Sequence, residues 1–234
     1  MNKAIGIFGL LTLIFLGTIS CKKSFDKNLQ SLLIKPFHTK EVPLDSLKTL
    51  GNMLEYFENL YCLQGDTNWP VLHINLKKQE FVGNREGGNI VKIGIEPTPC
   101  PDIVPQYDFT MILEIVKDGN NLSIEGERTS IDSIPSYIQK QYLNFGLDPQ
   151  YSFAPMNNGI WLCSEKKENL KDLAPIVAKI VQGYLQMVES YAEKKFNKKF
   201  KDLTAKELSI LMEEIPFNLA FKFTDDVKPK ITIG

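Results

Sequence analysis

The sequence predicts an α+β fold in which small sheets carry helices packed on one face. Short runs of alternating apolar residues indicate strands, and apolar residues at helical spacing indicate helices of different lengths. The dipeptide Asp118-Gly119 between two such runs indicates a tight hairpin, because Asp-Gly supplies the positive φ that this turn requires. Behind an N-terminal leader, the elements divide into two units, residues 42–106 and residues 107–234.

The N-terminal leader has the parts of a secretory signal. Lys3 supplies a positive charge, and the apolar run over residues 4–16 is too short for a transmembrane helix, which needs roughly 20 apolar residues. Cys21 follows this run and resembles a lipobox cysteine, which receives a lipid before the signal is cleaved. We expect residues 1–20 to be a signal peptide and lipid on Cys21 to attach the protein to a membrane. A plain secretory signal with a chance cysteine is the alternative.

The segment after the cysteine is predicted to be a lipidated tether over residues 21–41. It is polar and aperiodic, and it allows at most one amphipathic turn. Lys22 and Lys23 follow the cysteine, where surface-exported lipoproteins tend to carry acidic residues. We therefore expect a membrane-anchored lipoprotein of the cell envelope that faces the periplasm.

The first unit, residues 42–106, combines one helix with two strands. Apolar residues at helical spacing predict a helix over residues 45–63, and alternating residues predict strands over 71–76 and 90–95. The Gly- and Asn-rich segment over residues 83–89 is predicted to be a flexible hairpin loop. A proline-rich linker then closes the unit.

The second unit, residues 107–234, begins with the Asp-Gly hairpin. One helix is predicted to tolerate Pro135 in its first turn, and Asp172 is the predicted N-cap of the longest helix. Thr204 and Glu207 form a capping box for the next helix. The predicted elements are strands over residues 109–116 and 122–125, a helix from about 132, a strand over 160–163, a long helix over 173–196, a helix over 205–214 and a strand over 217–223.

The chain offers no set of residues for catalysis or metal binding. Besides the lipidated cysteine it has Cys62, Cys100 and Cys163, whose spacing matches no metal motif. In an oxidising compartment they form one disulfide and one thiol, by any of three pairings, or three buried thiols. His38 and His73 are predicted to be solvated, so neither is expected to act as a base. We expect no catalytic residue, metal or cofactor.

The charge of the chain is nearly balanced. It has 27 basic and 28 acidic side chains, which gives a formal net charge of −1. Nucleic-acid recognition requires a basic surface that neutralises phosphates. We therefore expect no nucleic-acid partner, and we expect the membrane contact to be made through lipid rather than through a basic patch.

Part of the second unit resembles a known envelope domain. Similar motifs occur in the same order in residues 115–127 (IVKDGNNLSIEGE), 191–196 (YAEKKF), 200–204 (FKDLT) and 213–216 (EEIP). Together they resemble the periplasmic domain and C-terminal extension of the ExbD/TolR biopolymer-transport family, over about residues 109–216. The resemblance implies an ExbD/TolR-like α+β domain and periplasmic contacts with TonB- or ExbB-like envelope proteins.

The chain departs from that family at its N-terminus. Family members keep a transmembrane helix with an acidic residue that conducts protons, whereas residues 4–19 contain no Asp or Glu. The proton-coupled activity is therefore not expected here. The family's C-terminal strand pairs between protomers, which implies a homodimer. The corresponding self-association strand would carry Phe217, Leu219, Phe221 and Phe223 on one face.

Two functions follow from these observations. The first is a lipid-anchored periplasmic accessory protein of a Ton/Tol-type energy-transduction or transport system, which acts through protein contacts. The alternative is a stand-alone envelope lipoprotein that binds a small ligand or an envelope component. Its pocket would lie between the two units near Trp69 and Trp161, although core packing is the simpler role for both tryptophans.

Overall fold

The computed structural model describes residues 27–35, 38–85, 87–97, 100 and 111–226. Helices and two small mixed sheets occupy this part of the chain, which confirms the predicted α+β class. The strands are β1 (Thr39–Glu41), β2 (Trp69–Asn75), β3 (Glu80–Val82), β4 (Ile90–Gly94), β5 (Ile112–Asp118), β6 (Asn121–Ile124), β7 (Glu127–Arg128), β8 (Gly159–Ser164) and β9 (Leu219–Phe223). The α-helices are α1 (Lys27–Leu32), α2 (Leu50–Glu58), α3 (Ile134–Leu143), α4 (Leu170–Phe196) and α5 (Ala205–Glu214).

The first sheet is built around β2. One side of β2 pairs with β4, from Val71 opposite Gly94 to Asn75 opposite Ile90. The other side is shared by β1, which is parallel to the first half of β2, and β3, which is antiparallel to its second half. The segment between β3 and β4 therefore crosses from one side of β2 to the other. The hairpin predicted at residues 83–89 is wrong, because turn-forming residues mark a loop but not which strands pair.

Residues 27–35 and 38–41 belong to the fold, which corrects this part of the predicted tether over residues 21–41. Leu33 is buried, and its carbonyl oxygen accepts a hydrogen bond from the N–H of Gly94 at 2.7 Å. Gln30 Nε2 donates to the carbonyl oxygen of Lys92 at 2.6 Å, and β1 adds a strand to the sheet. These elements are too short to show a periodicity, and tertiary contacts rather than local propensity order them.

The second sheet has the strand order β7-β6-β5-β8-β9. The predicted hairpin is confirmed, since β5 and β6 are antiparallel with Asp118 opposite Asn121. β8 lies parallel to β5, and β9 lies parallel to β8. On the outer side of β9, the backbone N–H of Glu96 donates to the carbonyl oxygen of Leu219 at 2.7 Å. The chain itself therefore occupies one position of the edge that the sequence predicted to be open for self-association.

One continuous core joins the two sheets. Each sheet takes its strands from one side of the predicted boundary at residue 106, but most of the buried apolar side chains form one cluster that runs from Leu32 to Phe221. α4 packs against β2 and β3 of the first sheet and against α3, and its Gln182 Nε2 donates to the carbonyl oxygen of Leu76 at 3.5 Å. The two units therefore share the interior that stabilises them.

α2 begins later than predicted and ends in a different helical form. Thr49 Oγ1 accepts the N–H of Asn52 at 3.2 Å and caps the helix. Just before the cap, the carbonyl oxygen of Lys48 accepts the N–H of Leu170 at 3.0 Å, so this backbone is held by the start of α4 instead of continuing the helix. The last turn, Asn59–Leu63, is π-helical, and we call it the π turn.

The start of α4 also differs from the prediction, whereas the capping box is confirmed. Asn169, not Asp172, is the N-cap, and its side chain accepts a backbone N–H at 2.9 Å. Pro175 therefore lies inside α4 and not in its first turn, where backbone N–H groups have no partner within the helix and the missing N–H of proline has no effect. At α5, Thr204 and Glu207 form the reciprocal capping box that their spacing predicted.

Candidate functional site

The connection between α3 and β8 exposes a cluster of large apolar side chains. In the part of the chain that the structure describes, five large apolar side chains are exposed, and four of them lie here. They are Phe145 (54% exposed), Leu147 (88%), Phe153 (61%) and Met156 (55%). We call residues 145–156 the apolar loop. A cluster of this kind indicates a contact surface, whereas isolated exposed apolar residues are common on any protein.

A buried amide holds the backbone of the apolar loop. Asn144 is 8% exposed, and its Nδ2 donates to the carbonyl oxygens of Asp148 at 2.8 Å and Tyr151 at 3.2 Å. The same Nδ2 lies 3.1 Å from the carbonyl oxygen of Ser152. Its Oδ1 accepts the N–H of Asp148 at 2.8 Å. The backbone is thus ordered before any partner binds, which lowers the entropy cost of association.

Buried polar side chains fix the end of the loop to the sheet. Asn158 is fully buried, and its Nδ2 donates to the carbonyl oxygen of Gln141 in α3 at 3.0 Å. The carbonyl oxygen of Asn158 accepts a hydrogen bond from Asn218 Nδ2 at 2.9 Å, just before β9. The loop therefore begins and ends at positions tied to the core, and its exposed side chains project from a rigid base.

Phe145 has a strained backbone at the tip of α3. Its φ of 48° lies in the left-handed region, which costs a non-glycine residue on the order of 1 kcal/mol. Its ring stacks on Tyr191 of α4, with 6.5 Å between ring centroids and 21° between planes. Gly146, with a φ of 78°, continues the turn without strain. The conformation that exposes Phe145 is therefore enforced by the surrounding structure.

Charges of both signs surround the apolar loop. Lys140 Nζ lies 5.8 Å from the ring centre of Tyr151, and Lys195 forms an ion pair with Glu214 on the other side. Burial, with Asp148 among the nearby charges, raises the pKa of Tyr151 to about 12, so its hydroxyl stays neutral at physiological pH. An apolar centre with a polar rim of mixed charge is the usual composition of a protein–protein interface.

A second surface lies along α2 in the first unit. It is a groove of about 560 Å³, within the range of about 300–1,000 Å³ that is typical of ligand sites. We call it the α2 groove, and its polar lining includes Lys40, Lys48, Asn52, Tyr56, Asn59 and Gln64. The π turn forms one end of it. π-helical turns occur frequently at functional sites, so this turn adds weight to the groove as a candidate binding site.

One disulfide lies beside this groove. Cys62 in the π turn is bonded to Cys100, with 5.4 Å between their Cα atoms, and Cys163 is a buried thiol. Of the alternatives that the sequence left open, the structure shows one disulfide and one thiol. The disulfide ties the π turn to the segment after β4, and it thereby supports one end of the α2 groove.

The residues predicted for anchoring and self-association have different outcomes. Cys21 and the signal peptide lie outside the described residues. Phe217, Leu219 and Phe221 are buried, at 5%, 0% and 1% exposure, and Phe223 is partly buried. Their common face is confirmed, but it packs into the core. The bridge to Glu96 covers one position of the outer edge of β9, and pairing of this strand between two copies stays a prediction.

The two tryptophans lie outside the α2 groove. Trp161 is 4% exposed and packs with Ile112 in a small apolar cluster on the second sheet. Trp69 packs against the backbone of Gly94, where an added Cβ would lie 2.9 Å from Trp69 Nε1. Lys35 Nζ lies 4.3 Å from the centre of the Trp69 ring. Both indoles have packing roles, and neither lines the α2 groove.

His73 is buried, which corrects the prediction that it is solvated. Its Nδ1 lies 3.2 Å from the carbonyl oxygen of Arg85 in the segment that crosses β2. Its Nε2 lies 2.5 Å from Glu41 Oε2 in β1, a contact that has ion-pair distance but not the direction of a hydrogen bond. The predicted alternation of buried and exposed side chains fails at His73 because the segment that contains Arg85 and the side chain of Glu41 cover it. His38 is exposed, as predicted.

Within the described ranges, no group of three or more His, Cys, Asp or Glu side chains could hold a metal ion. No helix in those ranges is long and apolar enough to cross a membrane. Comparison with known proteins finds no match to a family model, a curated protein or a solved structure. The apolar loop and the α2 groove are two surfaces of the described chain on which a function can be argued.

Proposed function

We propose that the protein is a lipid-anchored periplasmic accessory protein of a Ton/Tol-type envelope energy-transduction or transport system, and that it acts through protein contacts without catalysis. The apolar loop is the observation that carries the proposal. It lies inside the segment, about residues 109–216, that resembles ExbD/TolR-type domains. Lipid on Cys21 would keep this surface close to partners in the membrane.

The composition of the apolar loop favours a protein partner. Aromatic residues and Met are enriched at the centres of protein interfaces, and a few such residues supply most of the binding energy. Leu147 and Phe153 are the two most exposed members of the cluster, at 88% and 61%. An anionic bilayer would favour a basic rim, whereas Lys195 is here neutralised by Glu214. A rim with positive and negative side chains suits a protein partner that itself carries charged groups of both signs.

The anchor is tested by replacing the lipidated cysteine. Cys21→Ser is expected to abolish metabolic labelling with palmitate and to leave an uncleaved precursor, since lipid attachment precedes cleavage. Labelling and membrane association are measured together. A Cys21→Ser variant that is still labelled and still membrane-bound would remove the anchor from the proposal.

The partner is tested by photo-crosslinking in living cells. A photoreactive amino acid at Leu147 is expected to form an adduct with a TonB- or ExbB-like envelope protein, identified by mass spectrometry. The same group at Lys78, whose side chain is 68% exposed on the other unit, is the matched control and should not form it. Adducts with lipid alone, or identical adducts from both positions, would contradict a protein-docking role for the loop.

A second candidate function is a stand-alone envelope lipoprotein that binds a small ligand or an envelope component. The α2 groove favours it, because a polar groove of this volume is not needed for docking through the apolar loop. The two functions predict that different substitutions impair the protein. Substitutions at Leu147 and Phe153 would impair docking to a protein partner, and substitutions at Asn59 and Gln64 would impair ligand binding. Binding of a defined ligand to a protein with an altered apolar loop separates them.

A further inference from the structure

The π turn gives the α2 groove an unusual pair of neighbouring amides. The N–H of Gln64 donates to the carbonyl oxygen of Asn59 at 3.1 Å, five residues back, so the two side chains come together. Gln64 Nε2 donates to Asn59 Oδ1 at 2.6 Å. In the described structure this leaves Asn59 Nδ2 and Gln64 Oε1 without a protein partner. One donor and one acceptor are thus held side by side at the end of the groove.

Of the charged side chains that line the groove, Lys40 and Glu55 have ion-pair partners, whereas Lys48 is exposed and forms no ion pair in the described structure. Lys40 Nζ lies 2.7 Å from Asp66, and Glu55 lies 2.6 Å from Lys166. The hydrogen bond between the first pair raises the pKa of Lys40 and lowers that of Asp66, so both stay ionised and satisfied. A ligand that binds through the charges of Lys40 or Glu55 would have to displace these contacts, whereas a neutral polar ligand would not, and the ammonium group of Lys48 can donate hydrogen bonds to hydroxyl groups.

The remaining lining suits a ring that is polar at its edge and apolar on its faces. Tyr56 is half-buried and lines the groove, and the apolar side chains of Leu47 and Leu60 lie beside it. Sugar rings have this character: their hydroxyl groups both donate and accept hydrogen bonds, and their C–H faces pack on aromatic and aliphatic groups. Amide side chains satisfy both roles of a hydroxyl group, which a single charge cannot do.

We infer that the α2 groove binds a neutral oligosaccharide. Asn59 and Gln64 exchange hydrogen bonds with the hydroxyl groups of one sugar unit, and Asn52 and Lys48 contact the next unit along α2. Tyr56 and Leu47 pack against the ring faces. The open, shallow shape admits an internal segment of a chain as well as its end. The site lies outside the residues that resemble ExbD/TolR-type domains, so this binding is independent of the apolar loop.

The test is titration of the purified full-length protein, in a sugar-free detergent, with maltotriose, cellotriose and chitotriose. The side-chain amide signals of Asn59 and Gln64 in nitrogen–proton NMR spectra report directly on the groove. At least one trisaccharide is expected to shift both signals saturably, whereas inorganic phosphate is not. No shift with any of the three sugars, or saturable shifts with phosphate instead, would overturn the assignment.

Matched variants separate binding from folding. Asn59→Ala and Gln64→Ala remove exposed side chains, and each is expected to weaken sugar binding by roughly tenfold, the effect of a lost hydrogen bond to a ligand. Asn84→Ala removes an exposed amide from the segment after β3 and should bind as the parent does. Equal affinity in all three variants would show that the sugar binds elsewhere. Sugar binding that persists in a Leu147→Asp variant would leave this inference intact even if the docking proposal failed.

Discussion

The apolar loop and the α2 groove satisfy their polar groups in opposite ways. In the apolar loop, the side chain of Asn144 forms hydrogen bonds with backbone groups of the loop, among them the carbonyl oxygen and the N–H of Asp148. The exposed side chains of this loop include four large apolar ones. In the α2 groove, the exposed side chains are polar, and the pair of Asn59 and Gln64 keeps a donor and an acceptor for a ligand. Binding to the apolar loop would draw its free energy from the exclusion of water, whereas binding to the α2 groove would draw it from directed hydrogen bonds. They are suited to different partners.

The largest expected effect concerns the scaffold of the groove. A Cys62→Ser, Cys100→Ser double variant is expected to lower the free energy of unfolding by about 4 kcal/mol, because the disulfide closes a loop with a sequence separation of 38 residues. Denaturant unfolding measures the change. Sugar binding in the α2 groove should weaken in the variant, whereas docking through the apolar loop should persist. If the variant is fully folded and has lost both sugar binding and docking, the two surfaces are coupled.

The next effect concerns the scaffold of the loop. Asn144→Ala removes the side chain that satisfies several backbone groups, and we expect a loss of about 3 kcal/mol in the free energy of unfolding. Asn59→Ala in the α2 groove is the matched amide substitution on the exposed surface, and it should change stability by less than about 0.5 kcal/mol. Similar losses of unfolding free energy in the two variants would contradict the conclusion that Asn144 supports the fold whereas Asn59 is available to a ligand.

A smaller effect on stability is expected at the contact surface itself. Leu147→Asp changes a side chain that is 88% exposed, so the free energy of unfolding should stay within about 0.5 kcal/mol of the parent value. Crosslinking from a neighbouring position in the apolar loop should nevertheless be lost, because a charge at the centre of an apolar interface is left without water. A variant that keeps its partner would show that Leu147 is not part of the contact.

The smallest effect is a pH dependence at the start of α5. Hydrogen bonds from Lys198 and Thr204 hold the pKa of Glu207 at about 2, below its ordinary value of 4.5. The carboxylate therefore stabilises α5 above about pH 4.5, and this contribution is lost as the pH falls toward 2. Glu207→Gln should lower the melting temperature at about pH 7, and the difference from the parent should shrink by about pH 3. A constant difference would contradict the lowered pKa.

Local sequence signals predicted the elements whose cause is local. The capping box at Thr204 and the Asp118-Gly119 hairpin were predicted correctly, because each depends on residues that are adjacent or three apart. The α+β class was also predicted, since strand and helix periodicities are read directly from the sequence. The burial of Phe217, Leu219 and Phe221 on one face followed from the same alternation.

Features that depend on distant contacts were missed. The position of β1 is set by its pairing with β2, and the burial of His73 is set by a segment that crosses the strand. The α2 groove needs the π turn, which has no sequence signal in the 3.6-residue periodicity. For the apolar loop a signal existed, because Phe145, Leu147, Phe153 and Met156 occur among turn-forming residues outside any strand or helix pattern.

The central claim, that the apolar loop is covered by a protein partner in the envelope, is tested most directly by thiol accessibility. Leu147→Cys is reacted with a membrane-impermeant maleimide in cells with a permeabilised outer membrane and in the purified protein. Background labelling is expected to be low, because Cys62 and Cys100 are bonded, Cys163 is buried, and the proposed lipid would block the thiol of Cys21. We expect the new thiol to react severalfold more slowly in cells, whereas Lys78→Cys reacts equally in both. Equal rates for Leu147→Cys in cells and in the purified protein would contradict the account.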